Sequence, residues 1–160
     1  MSDLQEGGDT LLLHVVVPLL PPSSNHCYFP FHGRLVPTKE AKAFQRRYAE
    51  YVVGPNLPVI TQIGLDKDKW VYSVWTIVYF DYADVINMTF GQKGGAISRY
   101  KQMDAENRLK LASDAFARAV GIDDKQFFRV IVDKANCAPG EPRIETRLYR
   151  VSPSNFGFFF

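Results

Sequence analysis

The run from Trp70 to Tyr82 limits the possible folds more than any other stretch of this chain. Val71, Ser73, Trp75, Ile77 and Tyr79 fall on one face of an extended strand, and Tyr72, Val74, Thr76, Val78 and Phe80 on the other. Apolar bulk on both faces marks a central strand, flanked in its sheet and covered by another layer. At 160 residues the chain is long enough to bury one such core as a single domain.

The flanking segments supply the neighbours. Leu11 to Val17 reads as a buried strand that Pro18 ends. Pro21-Pro-Ser-Ser-Asn-His26 is loop, and Gly33-Arg34 continues the irregular stretch to Pro37. Thr38 caps a helix from Lys39 to about Val53, with Ala41, Phe44, Tyr48 and Tyr51/Val52 on its buried face and Gly54-Pro55 as its stop. A second helix, before Gly121, gathers Leu109, Ala112, Ala115, Phe116, Ala119 and Val120 on one side at about 100° per residue. Asn107, Lys110 and Asp114 gather on the opposite side. Phe127 to Lys134 and Arg143 to Val151 read as strands joined by a turn at Ala138 to Pro142. The order is β-α-β-α-β-β, an α+β domain with helices packed on a mixed sheet.

That domain spans residues 11–151, between a polar leader (1–10) and an aromatic tail (152–160). The tail holds four phenylalanines in its last five residues. Packing on the domain or on a second subunit accounts for those rings. The alternative is a docking peptide for a replication or recombination partner. Gly91 to Gly95 reads as a loop.

Formal net charge is +2, so any nucleic-acid contact needs a local basic face. Cys27 and Cys137 are far apart, and no zinc spacing exists, which suits reduced thiols in the cytoplasm. The apolar run from Leu11 to Leu20 is broken by His14 and Pro18, too short for a membrane span, and lacks the basic flank of a signal peptide.

The chemistry concentrates between Tyr100 and Lys134. Asp104 and Glu106 are two residues apart, so an extended chain there puts both carboxylates on one face. Asp104 is therefore expected at or before the start of the second helix. Asp123-Asp124 follows that helix and can add a third carboxylate. Oxygen donors without a nearby histidine suit Mg²⁺ better than zinc. Such an ion polarises a phosphate and activates water, and Lys110 can pair with phosphate oxygens as charge grows on them. Taken one at a time, these residues have simpler readings: Asp104 as an N-cap, Glu106 as a first-turn charge, Asp123-Asp124 as a turn, Lys110 and Asp114 as an i,i+4 pair.

The order Asp-x-acid-Asn-x-x-Lys, then helix, then Asp-Asp before a strand, resembles the RusA family of Holliday-junction resolvases. Pro21-Pro22-Ser23-x-Asn25, Tyr28, Gly33-Arg34, Thr38-x-Glu40 and Lys134 match it as well, over roughly Pro18 to Lys134. The resemblance implies a homodimer, Mg²⁺ or Mn²⁺, and paired nicks across a four-way DNA junction in a bacterial or phage-infected cell. It implies Asp104, Glu106 and Asp124 as metal ligands, with Lys110 as the essential lysine beside them. Asn25, Arg34, Arg99, Lys101, Asn107 and Lys134 are the candidates for DNA contact. The family usually has aspartate where this chain has Glu106, and the extra methylene moves the ligating oxygens. Two other readings stay open: a noncatalytic binder of branched DNA on the same scaffold, and an interaction module that uses the aromatic tail.

Overall fold

The computed structural model describes residues 8–23, 26–81 and 105–152, with side chains of the last segment described from Arg108 onward. The Gly91 to Gly95 loop, residues 1–7 and residues 153–160 lie outside it. The chain runs β1 (Thr10–Val17), β2 (Tyr28–Phe31), β3 (Arg34–Pro37), α1 (Lys39–Asp66), β4 (Tyr72–Asp81), α2 (Ala105–Val120), a 3-10 turn (Asp124–Gln126), β5 (Phe127–Cys137) and β6 (Arg143–Arg150). Four strands form one sheet in the order β1-β6-β4-β5, with β4 and β5 parallel and the other pairs antiparallel. Among the described residues the domain is α+β, with a mixed sheet and two helices.

β4 lies inside the sheet, and its Tyr72, Val74, Thr76, Val78 and Phe80 face is buried. Both helices contribute to the core cluster on that face and pack on each other. Tyr48 of α1 is fully buried above β6, where its hydroxyl shares a 3.0 Å hydrogen bond with Thr146. That bond removes the cost of burying two polar atoms in the core.

Three local expectations need correction. α1 does not stop at Gly54-Pro55 but continues through Pro55 and Pro58 to Asp66. Each proline removes a backbone donor, and between them Asn56 Nδ2 donates to the Val52 carbonyl at 2.8 Å. Tertiary burial overrides the break: Ile63 is buried, and Ile60 packs on the core. Second, the segment expected to be irregular up to Pro37 holds the β2–β3 hairpin, turned by His32 (φ 47°) and Gly33 (φ 73°). Paired positive φ values are those of a two-residue I′ turn, which glycine readily supplies. Third, α2 buries Leu111 and Ala117 as well as the expected stripe, because it lies against α1 as well as the sheet.

Thr38 caps α1 as its position suggests: its Oγ1 accepts from the Ala41 amide at 3.1 Å and donates to the His26 carbonyl. Thr38→Ala loses both bonds. We expect a loss of about 1–2 kcal/mol in urea unfolding, with an unchanged m-value.

Candidate metal and phosphate site

α2 begins at Ala105, with Glu106 and Asn107 in its first turn. The side chains of those two residues, and the whole of Asn25, Arg99, Lys101 and Asp104, lie outside the described residues. Lys110 is exposed, and Asp114 sits one turn later on the same helix face, half-buried. The Tyr28 hydroxyl donates to Asp114 Oδ2 at 3.3 Å.

Asp114 therefore anchors the polar face of α2 to the start of β2. Burial pushes its carboxyl above the ordinary carboxylate value; Lys110 and the Tyr28 bond pull it back, Asp124 raises it further, and Arg118 lowers it. Tyr28 is pushed up to about 12, first by burial and then by Asp114, so it stays a proton donor at neutral pH. Lys110, Asp114, Asp124 and Tyr28 thus share one electrostatic neighbourhood. A carboxyl raised by burial, with a second carboxylate and a lysine acting on it, is a setting that favours an added cation.

The helix end positions Asp124. Gly121, at φ 73°, lets the chain reverse, with Ile122 N–H donating to the Ala117 carbonyl at 3.1 Å and Gly121 N–H to Arg118 at 3.3 Å. Ile122 is buried and pins the turn. Asp123 then caps the 3-10 turn: its Oδ1 accepts from the Lys125 amide at 3.1 Å, while Gln126 Oε1 accepts from the Asp123 amide at 3.2 Å. The Lys125 amide, and next a hydrogen bond with Asp124, hold the Asp123 carboxyl below its ordinary value. Sequence spacing left these adjacent aspartates equivalent. The structure divides them, with Asp123 committed to the turn.

Residues that spacing did not single out hold the N-terminal loop in place. Arg108 donates from Nε and Nη2 to the Pro21 carbonyl at 3.2 and 2.8 Å, and its guanidinium lies 5.2 Å from the centre of the Phe80 ring. Cys27 is buried, and its thiol lies 3.4 Å from the carbonyls of Pro22 and Ser23. Pro21 is thereby tied to α2 through Arg108, and Tyr28 through Asp114. The signal for Asp114 was its place on the Lys110 face; nothing local announced its contact with a tyrosine 86 positions away.

The two described candidates for DNA contact are both exposed. Arg34 stands at the hairpin turn, opposite Phe31. Lys134 pairs in register with Val78, which puts it on the helix-bearing face of β5.

Among the described residues no group of three His, Cys, Asp or Glu side chains is set to hold a metal ion. Two of the three expected ligands, Asp104 and Glu106, lie outside those side chains. The chemistry of the set fits magnesium or manganese: carboxylate oxygens alone, hard donors that leave room for water. Among the described residues no helix is long and apolar enough to cross a membrane.

The raised pKa of Asp114 has a direct consequence for stability. An acid whose folded-state value is raised binds more protons folded than unfolded. Stability therefore falls as pH climbs from the ordinary 3.8 toward the raised value, and the cost is complete above it. Asp114→Asn keeps an oxygen for Tyr28 and removes that cost. Calorimetry should show a higher Tm than wild type at neutral pH, with the gain vanishing below pH 3.8. A lower Tm at neutral pH would show that attraction to the Lys110 charge outweighs burial.

No protein-family model matches the chain, and no curated protein matches it.

Proposed function

We propose that the protein is a structure-selective endonuclease of the RusA type, resolving Holliday junctions and related branched DNA as a homodimer. The observation that supports this reading is that Pro21 and Tyr28 are both tied to α2, through Arg108 and Asp114, with Lys110 and Asp124 acting on Asp114. Two motif-bearing segments far apart in sequence meet there, which supports a shared site and is something that caps and solvated pairs have no need to do.

In this reading Asp104, Glu106 and Asp124 hold a Mg²⁺ or Mn²⁺ ion. When bound, the ion supplies Lewis-acid polarisation of the scissile phosphate and lowers the pKa of water. Lys110 places its ammonium against the phosphoryl oxygens and offsets the charge that grows on them. Asp114, one helical turn away, feels the charge of that ammonium, and the Tyr28 hydroxyl donates to the Asp114 carboxylate. Arg34 and Lys134, with Arg99, Lys101, Asn25 and Asn107, contact the DNA backbone, which makes binding salt-dependent. Selection rests on the shape and deformability of the junction more than on base edges. A two-fold axis presents two such sites to strands of like polarity, giving paired nicks with 5′-phosphate and 3′-hydroxyl ends. Cys27 and Cys137 are not joined in a disulfide, which suits a reducing compartment.

The test is cleavage of a labelled four-way junction with and without Mg²⁺, beside Asp104→Asn. Metal-dependent paired nicks that disappear in the variant, with binding retained, are the expected result. Binding without nicks in any divalent metal would leave a noncatalytic binder of branched DNA, and no junction affinity would remove the reading altogether.

A further inference from the structure

The β2–β3 hairpin carries more exposed apolar surface than its own stability requires. Phe29, Phe31 and Leu35 are 43%, 57% and 71% exposed. A hairpin that only packs on its own domain is apolar on one face and polar on the other. Here the pairing puts Phe29, Phe31 and Arg34 on one face and Leu35 on the other, so the tip is apolar on both. Contiguous exposed apolar surface of this kind marks a contact site.

The tip is also braced. His32 and Gly33 close it in a tight turn, Phe31 meets the His32 ring edge-on at 4.3 Å, and Phe29 lies 6.5 Å from Phe31. At its base Tyr28 is tied to Asp114, and the Thr38 amide donates to the Cys27 carbonyl at 3.0 Å. The blade therefore stands beside the candidate cleavage site, with an arginine at its turn.

We propose that this hairpin is an aromatic wedge, in which Phe31 and Leu35 enter the branch point and stack against unpaired bases while Arg34 meets the adjoining phosphate. Apolar side chains between base steps are a known means of opening and bending a duplex. A branch point offers the partly unstacked bases that make insertion least costly. Apolar contacts on both faces of the tip are what a blade between two bases needs, and a cation at the turn suits a polyanion. The proposal rests on the branched-DNA reading above and names the element that selects the branch.

The probe is a synthetic four-way junction with 2-aminopurine beside the branch, titrated with full-length protein without divalent metal. Wild type should raise the fluorescence as that base unstacks. Phe31→Ala and Leu35→Ala should abolish the rise and weaken junction binding by roughly 10- to 100-fold, with affinity for linear duplex unchanged. Phe31→Trp keeps a stacking ring and should keep the signal. Both residues are exposed, so the variants should melt with wild type. An unchanged rise in the alanine variants, while wild type still nicks junctions with Mg²⁺, overturns the wedge and leaves the nuclease reading intact. Conversion of a dimer to monomers by Phe31→Ala in ultracentrifugation also overturns it, because the surface is then a contact between copies. If wild type neither binds nor nicks branched DNA, the nuclease reading fails and the wedge with it.

Discussion

Asp124→Asn should lower single-turnover junction cleavage at least about 100-fold while leaving junction affinity near wild type. The substitution preserves shape and removes one carboxylate charge from the proposed metal site. Asp124 is exposed, and the turn that carries it is capped by its neighbour, so the fold should tolerate the change. The adjacent residue is the control. Asp123→Asn keeps an oxygen to accept from the Lys125 amide, and asparagine is as good an N-cap as aspartate. Cleavage by Asp123→Asn should therefore stay within a few-fold of wild type. Equal losses in the two variants would mean that the aspartates act only through the turn. The same reasoning fixes the sign of a secondary effect: without the Asp124 charge, Asp114 should titrate closer to the ordinary carboxylate value.

Phe116→Ala should cost about 3–5 kcal/mol of unfolding free energy. Phe116 is fully buried in the single core cluster that α1, α2 and the sheet share. Removing a benzyl group there forfeits the transfer energy of the ring and leaves a cavity that three packed elements cannot close. A domain of this size has about 5–15 kcal/mol of total stability, so the loss is a large share of it. Urea unfolding at constant m-value is the measurement. Any accompanying loss of cleavage should follow the folded fraction, because Phe116 lies on the α2 side opposite Lys110 and Asp114.

Periodicity made the central strand and the two helices legible. Tyr72 to Phe80 alternates in sequence as it alternates in burial, and Leu109 to Val120 shows its stripe at helical spacing. What stayed hidden depends on contacts between distant residues. Gly54-Pro55 is a local stop signal, and the packing of Ile60 and Ile63 on a core built elsewhere carries α1 past it. The β2–β3 hairpin shows no alternation because its tip is apolar on both faces. At the site, spacing exposed Lys110 and Asp114 as neighbours. It gave no means of separating Asp123, a cap, from Asp124, which acts on Asp114. The Tyr28 to Asp114 bond is a product of the finished fold.

The most direct test is to locate the ion. Crystals of the full chain soaked in Mn²⁺ should show anomalous density for an ion bound by carboxylate oxygens of Asp104, Glu106 and Asp124, beside the Lys110 ammonium. The first protein oxygens should lie at about 2 Å, with waters completing the shell. Density elsewhere, or the three carboxylates pointing to separate places in crystals that hold the ion, would contradict the metal site and the nuclease built on it.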